Sequence, residues 1–202
     1  MTGTELAERI KKACAEVKGA EAELTEIDSR FGDADHGLTM RKICMAIETA
    51  VEDAGDESIQ AMLSSAADAV MCLNGGSAVP LWNTWLDGMA EAAPDSGAVN
   101  IAGLKEIFAH ALDELNDMSG AKVGDKTMMD ALIPASEAIA AYAGESEAEM
   151  LALAAGAAIQ GAEDSRGFVS KFGRAKSYGA KTIGTPDAGA VSMSRFFAGL
   201  AK

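Results

Sequence analysis

Apolar residues recur at intervals of three and four along almost the whole chain, a spacing typical of amphipathic α-helices. The segment 36–54, for example, places Met40, Ile43, Ile47 and Val51 on one helical face. Runs of β-branched residues, which strands favour, are almost absent. The pattern predicts helices over the segments 4–18, 20–30, 36–54, 58–73, 78–93, 100–118, 125–143, 147–164 and 187–200.

Short connections marked by glycine or proline separate these segments, which makes consecutive helices antiparallel neighbours. Segment 20–30 is expected to continue the first helix after a break near Gly19. We therefore predict an all-α, up-and-down arrangement that forms one domain over residues 1–202. In such an arrangement, alternate helices begin at the same end.

One connection, residues 165–186, is much longer than the others. It carries five cationic residues and four glycines in an otherwise acidic chain. Loops of this length in compact domains are usually functional or disordered. We interpret it as an anion-facing lid, with a flexible surface loop as the alternative.

Charge and cysteine content exclude several classes of function. The chain has 17 Lys and Arg against 31 Asp and Glu, a formal net charge of -14, which disfavours nonspecific binding to nucleic acid or to an anionic membrane. The three cysteines are dispersed, so neither a zinc site nor a disulfide framework is indicated, and a reduced cytoplasmic setting is expected. No apolar run approaches the roughly 20 residues of a membrane span.

An acidic stretch between the second and third predicted helices is the main candidate for chemistry. Asp28, Asp33, Asp35 and His36 fall within nine residues. Carboxylates at this density repel one another unless a cation joins them, and oxygen ligands favour a hard ion such as Mg²⁺. A solvated acidic turn is the alternative.

Glycine-rich and polar junctions open the helices that begin near 36, 78, 125 and 187, and an up-and-down order brings all four to one rim. The junction 74–80 contains Gly75, Gly76 and Ser77, which suits an anion site at a helix N-terminus. The junction 120–128 superficially resembles a P-loop but lacks the Gly-Lys-Thr unit and a preceding strand. Asp125 is instead expected to be the N-cap of its helix.

Mg²⁺ held between carboxylates and phosphate oxygens is a usual way for an acidic site to bind a nucleotide. The rim therefore suggests phosphoryl transfer, in which Arg174 or Lys176 of the basic loop would stabilise the transferring group.

Four motifs in order carry a resemblance to a known family. They are Gly32-Asp33-Ala34-Asp35-His36-Gly37, Gly75-Gly76-Ser77, Gly124-Asp125-Lys126-Thr127-Met128 with Asp130 and Pro134, and Gly173-Arg174-Ala175 followed by Ile183-Gly184 and Asp187-Ala188-Gly189. With these motifs the chain resembles the nucleotide-binding L subunit of bacterial dihydroxyacetone kinases, equivalent to the C-terminal domain of the single-chain enzymes.

The resemblance implies an eight-helix antiparallel up-and-down barrel with a nucleotide site at one rim, the first two segments counting as one broken helix. It implies two Mg²⁺ ions bound by Asp28, Asp33 and Asp35, and Arg174 as the catalytic cation. It further implies that ADP or ATP is surrounded by His36, Gly37, Leu38, Thr39, Ser77, Ala78, Gly120, Met128, Arg174, Asp187, Ala188 and Gly189.

The resemblance also implies partners: a separate K subunit that holds the ketose covalently through a histidine and, in one donor scheme, a phosphotransferase-system phosphoryl carrier. Three positions depart from the family pattern. Ala78-Val79-Pro80 replaces Ser-Gly-Pro, Asp187-Ala188-Gly189 replaces Asp-Pro-Gly, and Gly179-Ala180-Lys181-Thr182-Ile183-Gly184 replaces Gly-Glu-Arg-Ser-Ile-Gly. They leave the carboxylate trio intact and bear on the docking partner and the substrate.

Three functions remain in view at this stage. The leading one is a kinase subunit for a small ketose, a triose or a tetrose, with either exchanging ATP or resident ADP as the phosphoryl carrier. The others are a nucleotide-loaded regulatory module and a phosphohydrolase, the last lacking a convincing base. A homodimer is also left open.

His110 is expected to have a structural role, and Trp82 and Trp85 are expected in the core or an interface.

Overall fold

The computed structural model describes residues 1–55 and 57–202, and nearly all of its regular structure is helical. Within these ranges it contains two 3-10 helices, Ser165–Gly167 and Arg174–Thr182, and no β-strand. The α-helices are α1 (Gly3–Gly19), α2 (Glu21–Ser29), α3 (His36–Asp53), α4 (Ile59–Met71), α5 (Ala78–Ala92), α6 (Ile101–Ser119), α7 (Met129–Ala141), α8 (Glu147–Asp164) and α9 (Ala188–Leu200). The all-α prediction is confirmed.

The helices close into a ring. Each packs against the next along the chain, from α3 through α9, and α1 packs against both α3 and α9. Helix α2 continues α1 beyond a kink at Ala20, so the two occupy one position of the ring. This is the expected eight-helix up-and-down barrel. Within the described ranges, no helix is long and apolar enough to cross a membrane.

Aromatic side chains fill the centre of the barrel. Trp82 and Trp85 of α5 pack edge-on against Phe196 of α9, with ring centroids 5.1 Å and 5.5 Å away. Phe108 of α6 and Phe197 of α9 complete the cluster, and all five side chains are almost fully buried. Burying each such ring stabilises the fold by roughly 1.5–3 kcal/mol. The two tryptophans therefore belong to the core.

The up-and-down order gives the barrel two ends. We call the end where α3, α5, α7 and α9 begin the site rim, and the end where α1, α4, α6 and α8 begin the far rim. The far rim is tied together by the chain itself: Gly3 N donates to Gly97 O, Ile59 N donates to Ser96 O, and the N-terminal ammonium pairs with Glu147.

Helix α7 differs from the prediction, because it begins at Met129 instead of 125, and Asp125 is not its N-cap. The Asp125 carboxylate accepts from Lys122 N at 2.9 Å and pairs with Lys171. The backbone is left-handed at Gly124 (φ 94°) and Lys126 (φ 60°), so a helix cannot run through this segment. We call residues 120–128 the lysine turn.

Candidate functional site

Direct contacts join the helix starts of the site rim. His36 Nε2 at the start of α3 lies 3.2 Å from Ser192 Oγ of α9. A Cβ added at Gly189 would lie 3.3 Å from Met128 N and Cβ, so α9 and α7 begin side by side. Likewise, a Cβ at Gly75, just before α5, would lie 3.1 Å from Thr39 Cγ2 of α3. The convergence predicted from helix alternation is thus present in the structure.

The acidic loop, residues 28–35, gathers the three predicted carboxylates. Asp28, Asp33 and Asp35 each offer an oxygen, and these oxygens all lie within 4.8 Å of one another. A left-handed backbone at Ala34 (φ 62°) lies between the last two aspartates. Asp28 Oδ2 accepts from Asp35 N at 3.0 Å and from His36 N at 3.3 Å, which fixes the loop against the start of α3.

The chemistry of this donor set fits a hard divalent cation. Three carboxylates at one point favour Mg²⁺ or a similar ion over softer metals, which prefer thiolate or imidazole ligands. Asp33 and Asp35 are exposed and Asp28 is partly buried, so the oxygens open to solvent and leave positions for ligand oxygens. The residues present therefore fit a magnesium site.

The four helix starts of the far rim are all capped by side chains. Thr2, Ser58, Asn100 and Ser146 each accept from a backbone N–H in the first turn of α1, α4, α6 and α8. At the site rim, Asp35, Ser77 and Met128 make no side-chain cap hydrogen bond to α3, α5 or α7 within the described residues. At two of these starts a neighbouring side chain takes the first N–H: Asp28 Oδ2 accepts from His36 N, and Thr127 Oγ1 accepts from Met129 N at 3.2 Å. All three starts still present the positive end of the helix dipole, which suits phosphate oxygens.

Helix α9 is the exception at this rim. Asp187 Oδ2 accepts from Ala190 N at 2.8 Å, and Asp187 N donates to Ser165 Oγ at 2.9 Å. Burial raises the pKa of the Asp187 carboxyl to about 7, with a further contribution from the Asp130 carboxylate. Asp187 therefore caps its helix while its charge is poorly solvated.

His36 is buried enough to favour its neutral form. Burial lowers the pKa of its imidazole, although Asp28 and Asp35 partly offset this effect. The Ser192 hydroxyl beside it donates to Gly189 O at 2.9 Å. His36 thus ties the acidic loop to the start of α9 and carries no fixed charge at neutral pH.

The remaining predicted residues lie at the same end of the barrel in different settings. Thr39 and Met128 are 5% exposed and Gly37 is buried, whereas Leu38 is 43% exposed. Gly120 ends α6 with a left-handed backbone (φ 62°). Ala78 and Ala188 begin α5 and α9 and are partly buried, and Ser77 is exposed. These predicted residues therefore share one rim but differ in exposure.

The lid, residues 165–186, faces the acidic loop. The Arg174 guanidinium forms an ion pair with Asp33. Tyr178 packs on Phe31 with ring centroids 5.2 Å apart. The lid contains two 3-10 helices, and Gly184 N donates to Arg166 O at 2.8 Å, which brings its ends together. These contacts favour the lid interpretation over a flexible surface loop.

Sequence reasoning missed the lysine turn as a structural element. Lys126 is 4% exposed, and its ammonium donates to Ser165 O at 2.6 Å and to Thr185 O at 2.5 Å. Asp130 is fully buried and accepts from Gly124 N at 2.6 Å and Thr127 N at 2.7 Å. Burial raises the pKa of Asp130 and lowers that of Lys126. The available signal was the pair Asp125 and Asp130, which flank Lys126 in the sequence. The left-handed backbone of Lys126 cannot be predicted from the sequence.

A second group of potential ligand atoms lies on α5 and α6. Glu91, His110 and Glu114 come within 4.8 Å of one another, and His110 Nε2 lies 2.9 Å from Glu91 Oε2. Hydrogen bonding to the Glu91 carboxylate raises the pKa of His110, because the carboxylate stabilises the imidazolium form. That arrangement agrees with the structural role expected of His110.

Comparison with known proteins identifies the family. The family model described as the DAK2 domain matches residues 30–202. The chain is 34% identical over 200 residues to the D-erythrulose kinase of Mycolicibacterium smegmatis, covering 95% of this chain and 34% of that protein. It is 28% identical over 183 residues to the ADP-binding subunit DhaL of the PEP-dependent dihydroxyacetone kinase of Escherichia coli, covering 89% of this chain and 87% of that subunit.

The same fold occurs in a solved structure. The dihydroxyacetone kinase of C. freundii in complex with AMP-PNP and Mg²⁺ superposes with a TM-score of 0.71 at 23% identity, covering 97% of this chain and 33% of that chain. The present chain thus spans about a third of the D-erythrulose kinase and of this structure, and most of the bacterial subunit. Because the family model covers most of the sequence and the fold agrees, the chain belongs to the DAK2 domain family.

Proposed function

We propose that the site rim binds a magnesium nucleotide and that the chain is the nucleotide-binding component of a kinase for a small ketose. The observation that carries this proposal is the trio Asp28, Asp33 and Asp35, whose oxygens meet within 4.8 Å at the rim where α3, α5 and α7 begin. Cation ligands and anion donors on one rim match the two charges of a magnesium nucleotide.

Acidic and basic residues of the site rim would have different roles. Asp28, Asp33 and Asp35 would hold Mg²⁺, with two ions as the family-based expectation, and the metal would neutralise phosphate charge and align the phosphoryl group for transfer. Backbone N–H groups at Gly37 and Ala78 lie in first turns, where phosphate oxygens are favoured. Arg174 of the lid forms an ion pair with Asp33. When a nucleotide binds, the Arg174 guanidinium would move from Asp33 to the transferring phosphoryl group and stabilise its charge.

Relatives support the choice of acceptor class. The names of both relatives specify a small ketose as the substrate, erythrulose in one and dihydroxyacetone in the other. The second relative is also named as the ADP-binding subunit. Since this chain matches about a third of the longer kinase, we propose that the ketose is held outside it, on a K subunit or domain. Which ketose is accepted would then be decided by that partner.

The phosphoryl donor separates two versions of the proposal. In one, ATP exchanges at the site; in the other, ADP stays bound and a phosphotransferase-system carrier rephosphorylates it. The test mixes the purified chain with a ketose-binding K subunit and dihydroxyacetone or erythrulose, with ATP or with the phosphoryl-carrier system. Ketose phosphate formed in either mixture, and lost with Arg174→Ala, supports the kinase. Tight magnesium-nucleotide binding without product in any mixture favours the regulatory alternative.

A further inference from the structure

The Lys126 side chain in the lysine turn does not have the role that a P-loop lysine has. A phosphate-binding lysine presents its ammonium to the ligand, whereas Lys126 is 4% exposed. Its ammonium donates to two backbone carbonyls, those of Ser165 and Thr185. These carbonyls lie at opposite ends of the lid, so one side chain joins the two.

The turn keeps this side chain in place at some backbone cost. Lys126 has a left-handed backbone (φ 60°), which is unfavourable for a residue with a Cβ and persists only where surrounding structure holds it. The buried Asp130 carboxylate supplies that support, because it accepts from Gly124 N and Thr127 N on either side. The conformation is thus maintained by the start of α7.

Further contacts bind the lid to the same turn. Asp125 O accepts from Lys171 N at 3.1 Å, and the Lys171 ammonium lies 2.6 Å from Asp125 Oδ1. Ser165 Oγ accepts from Asp187 N, which connects the lid's first residue to the start of α9. With its base held in this way, the lid projects Arg174 to Asp33.

We infer that Lys126 is a positioning residue: it clamps the two ends of the lid so that Arg174 faces the acidic loop, and it does not bind phosphate itself. This inference deepens the proposed function and rests on it for its effect on nucleotide binding. The clamping of the lid is a property of the chain alone and can be measured without nucleotide.

Limited proteolysis tests the clamp. Chymotrypsin cleaves after aromatic residues, and Phe172 and Tyr178 of the lid are 40% and 46% exposed. Lys126→Met removes both charge-assisted hydrogen bonds, and we expect lid cleavage about tenfold faster or more under native conditions. Lys181→Met is the matched control, since it removes an exposed ammonium of the lid and should leave the rate near that of the parent.

A second variant covers the case in which the methionine variant does not fold. Lys126→Gly fits the left-handed backbone and also removes the ammonium. If the residue mattered only for the turn's conformation, glycine would leave lid cleavage unchanged; the clamp predicts the same acceleration as methionine. Parent-like cleavage in either folded variant overturns the inference, whatever the nucleotide experiments give.

A double-mutant cycle tests the consequence for binding. We compare the dissociation constants of magnesium ADP for the parent, Lys126→Met, Arg174→Ala and the double variant by calorimetry. If Lys126 acts through Arg174, the double variant binds about as weakly as Arg174→Ala alone. Additive losses would mean that Lys126 contacts the nucleotide directly and would overturn the positioning role. Absence of binding in the parent would instead refute the proposed function and leave the clamp to the proteolysis result.

Discussion

The two rims of the barrel are built from the same kind of helix end but are completed differently. At the far rim, Thr2, Ser58, Asn100 and Ser146 satisfy the first backbone N–H groups of their helices. At the site rim, Asp35 and Ser77 are residue types that usually cap helices, yet neither makes a side-chain cap bond. Each far-rim helix is thus capped by the residue that precedes it, whereas at the described starts of the site rim only α9 is capped in that way.

Electrostatics follow the same division. The site rim concentrates Asp28, Asp33 and Asp35 in one exposed loop and holds Arg174 against them. It also contains left-handed backbone at Ala34 and Lys126, which stores strain. Crowded like charge and strained backbone lower stability, and both lie at the end of the barrel where we propose the nucleotide site.

The largest expected effect is loss of nucleotide binding when an acidic-loop carboxylate is removed. Asp33→Ala should weaken magnesium ADP binding by about a hundredfold or more, because a metal ligand and its charge are lost. Asp95→Ala, an exposed carboxylate on the connection at the far rim, is the matched control and should leave binding unchanged. Calorimetric titration, with circular dichroism to verify the helical fold, measures both; equal affinities would contradict the metal assignment.

A smaller effect is expected from a change that removes none of the three carboxylates. A Cβ at Gly32 would collide with the Asp28 side chain, so Gly32→Ala should displace that carboxylate and weaken magnesium ADP binding by about tenfold. Gly97→Ala at the far rim meets no atom within 4 Å and serves as control. If both alanine variants bind alike, the Asp28 carboxylate is not part of the site.

The cap of α9 predicts a dependence of stability on pH. The pKa of Asp187 is raised to about 7 from a reference of 3.8, so between these values the folded chain binds more protons than the unfolded chain. The contribution of Asp187 to the free energy of unfolding therefore falls as pH rises from about 4 to about 7 and is level above that. Asp187→Asn, which stays neutral and keeps an acceptor for Ala190 N, should remove this dependence.

The measurement is urea unfolding of parent and variant at several pH values without metal. We expect the variant to be more stable above pH 7 by roughly 2 kcal/mol, reduced from the full shift because the group is only partly buried. Parallel stability curves for the two proteins would contradict the raised pKa.

The smallest effects are expected on the free energy of unfolding, from one serine-to-alanine substitution at each rim. Ser58→Ala removes the cap of α4 and should cost about 1 kcal/mol of unfolding free energy without changing nucleotide affinity. Ser77→Ala removes no cap bond from α5 and should leave stability within about 0.5 kcal/mol. Thermal unfolding of the two variants measures both values. Equal destabilisation by the two substitutions would contradict the difference in helix capping between the rims.

The sequence predicted the order and direction of the helices because their apolar spacing is regular from segment to segment. It also predicted the acidic loop, since Asp28, Asp33 and Asp35 are close in sequence as well as in space. It failed at the start of α7, where Asp125 looks like a cap and Lys126 adopts a left-handed backbone. That conformation depends on Asp130, Ser165 and Thr185, which come together only in the folded barrel.

The central claim is that magnesium nucleotide binds at the site rim, and paramagnetic NMR tests it most directly. Manganese ADP is titrated into ¹⁵N-labelled protein, and the broadening of backbone amides is mapped against the metal-free spectrum. We expect the strongest broadening at residues 32–37, then at the starts of α5, α7 and α9. Broadening centred on Glu91, His110 and Glu114, or on the far rim, would contradict it.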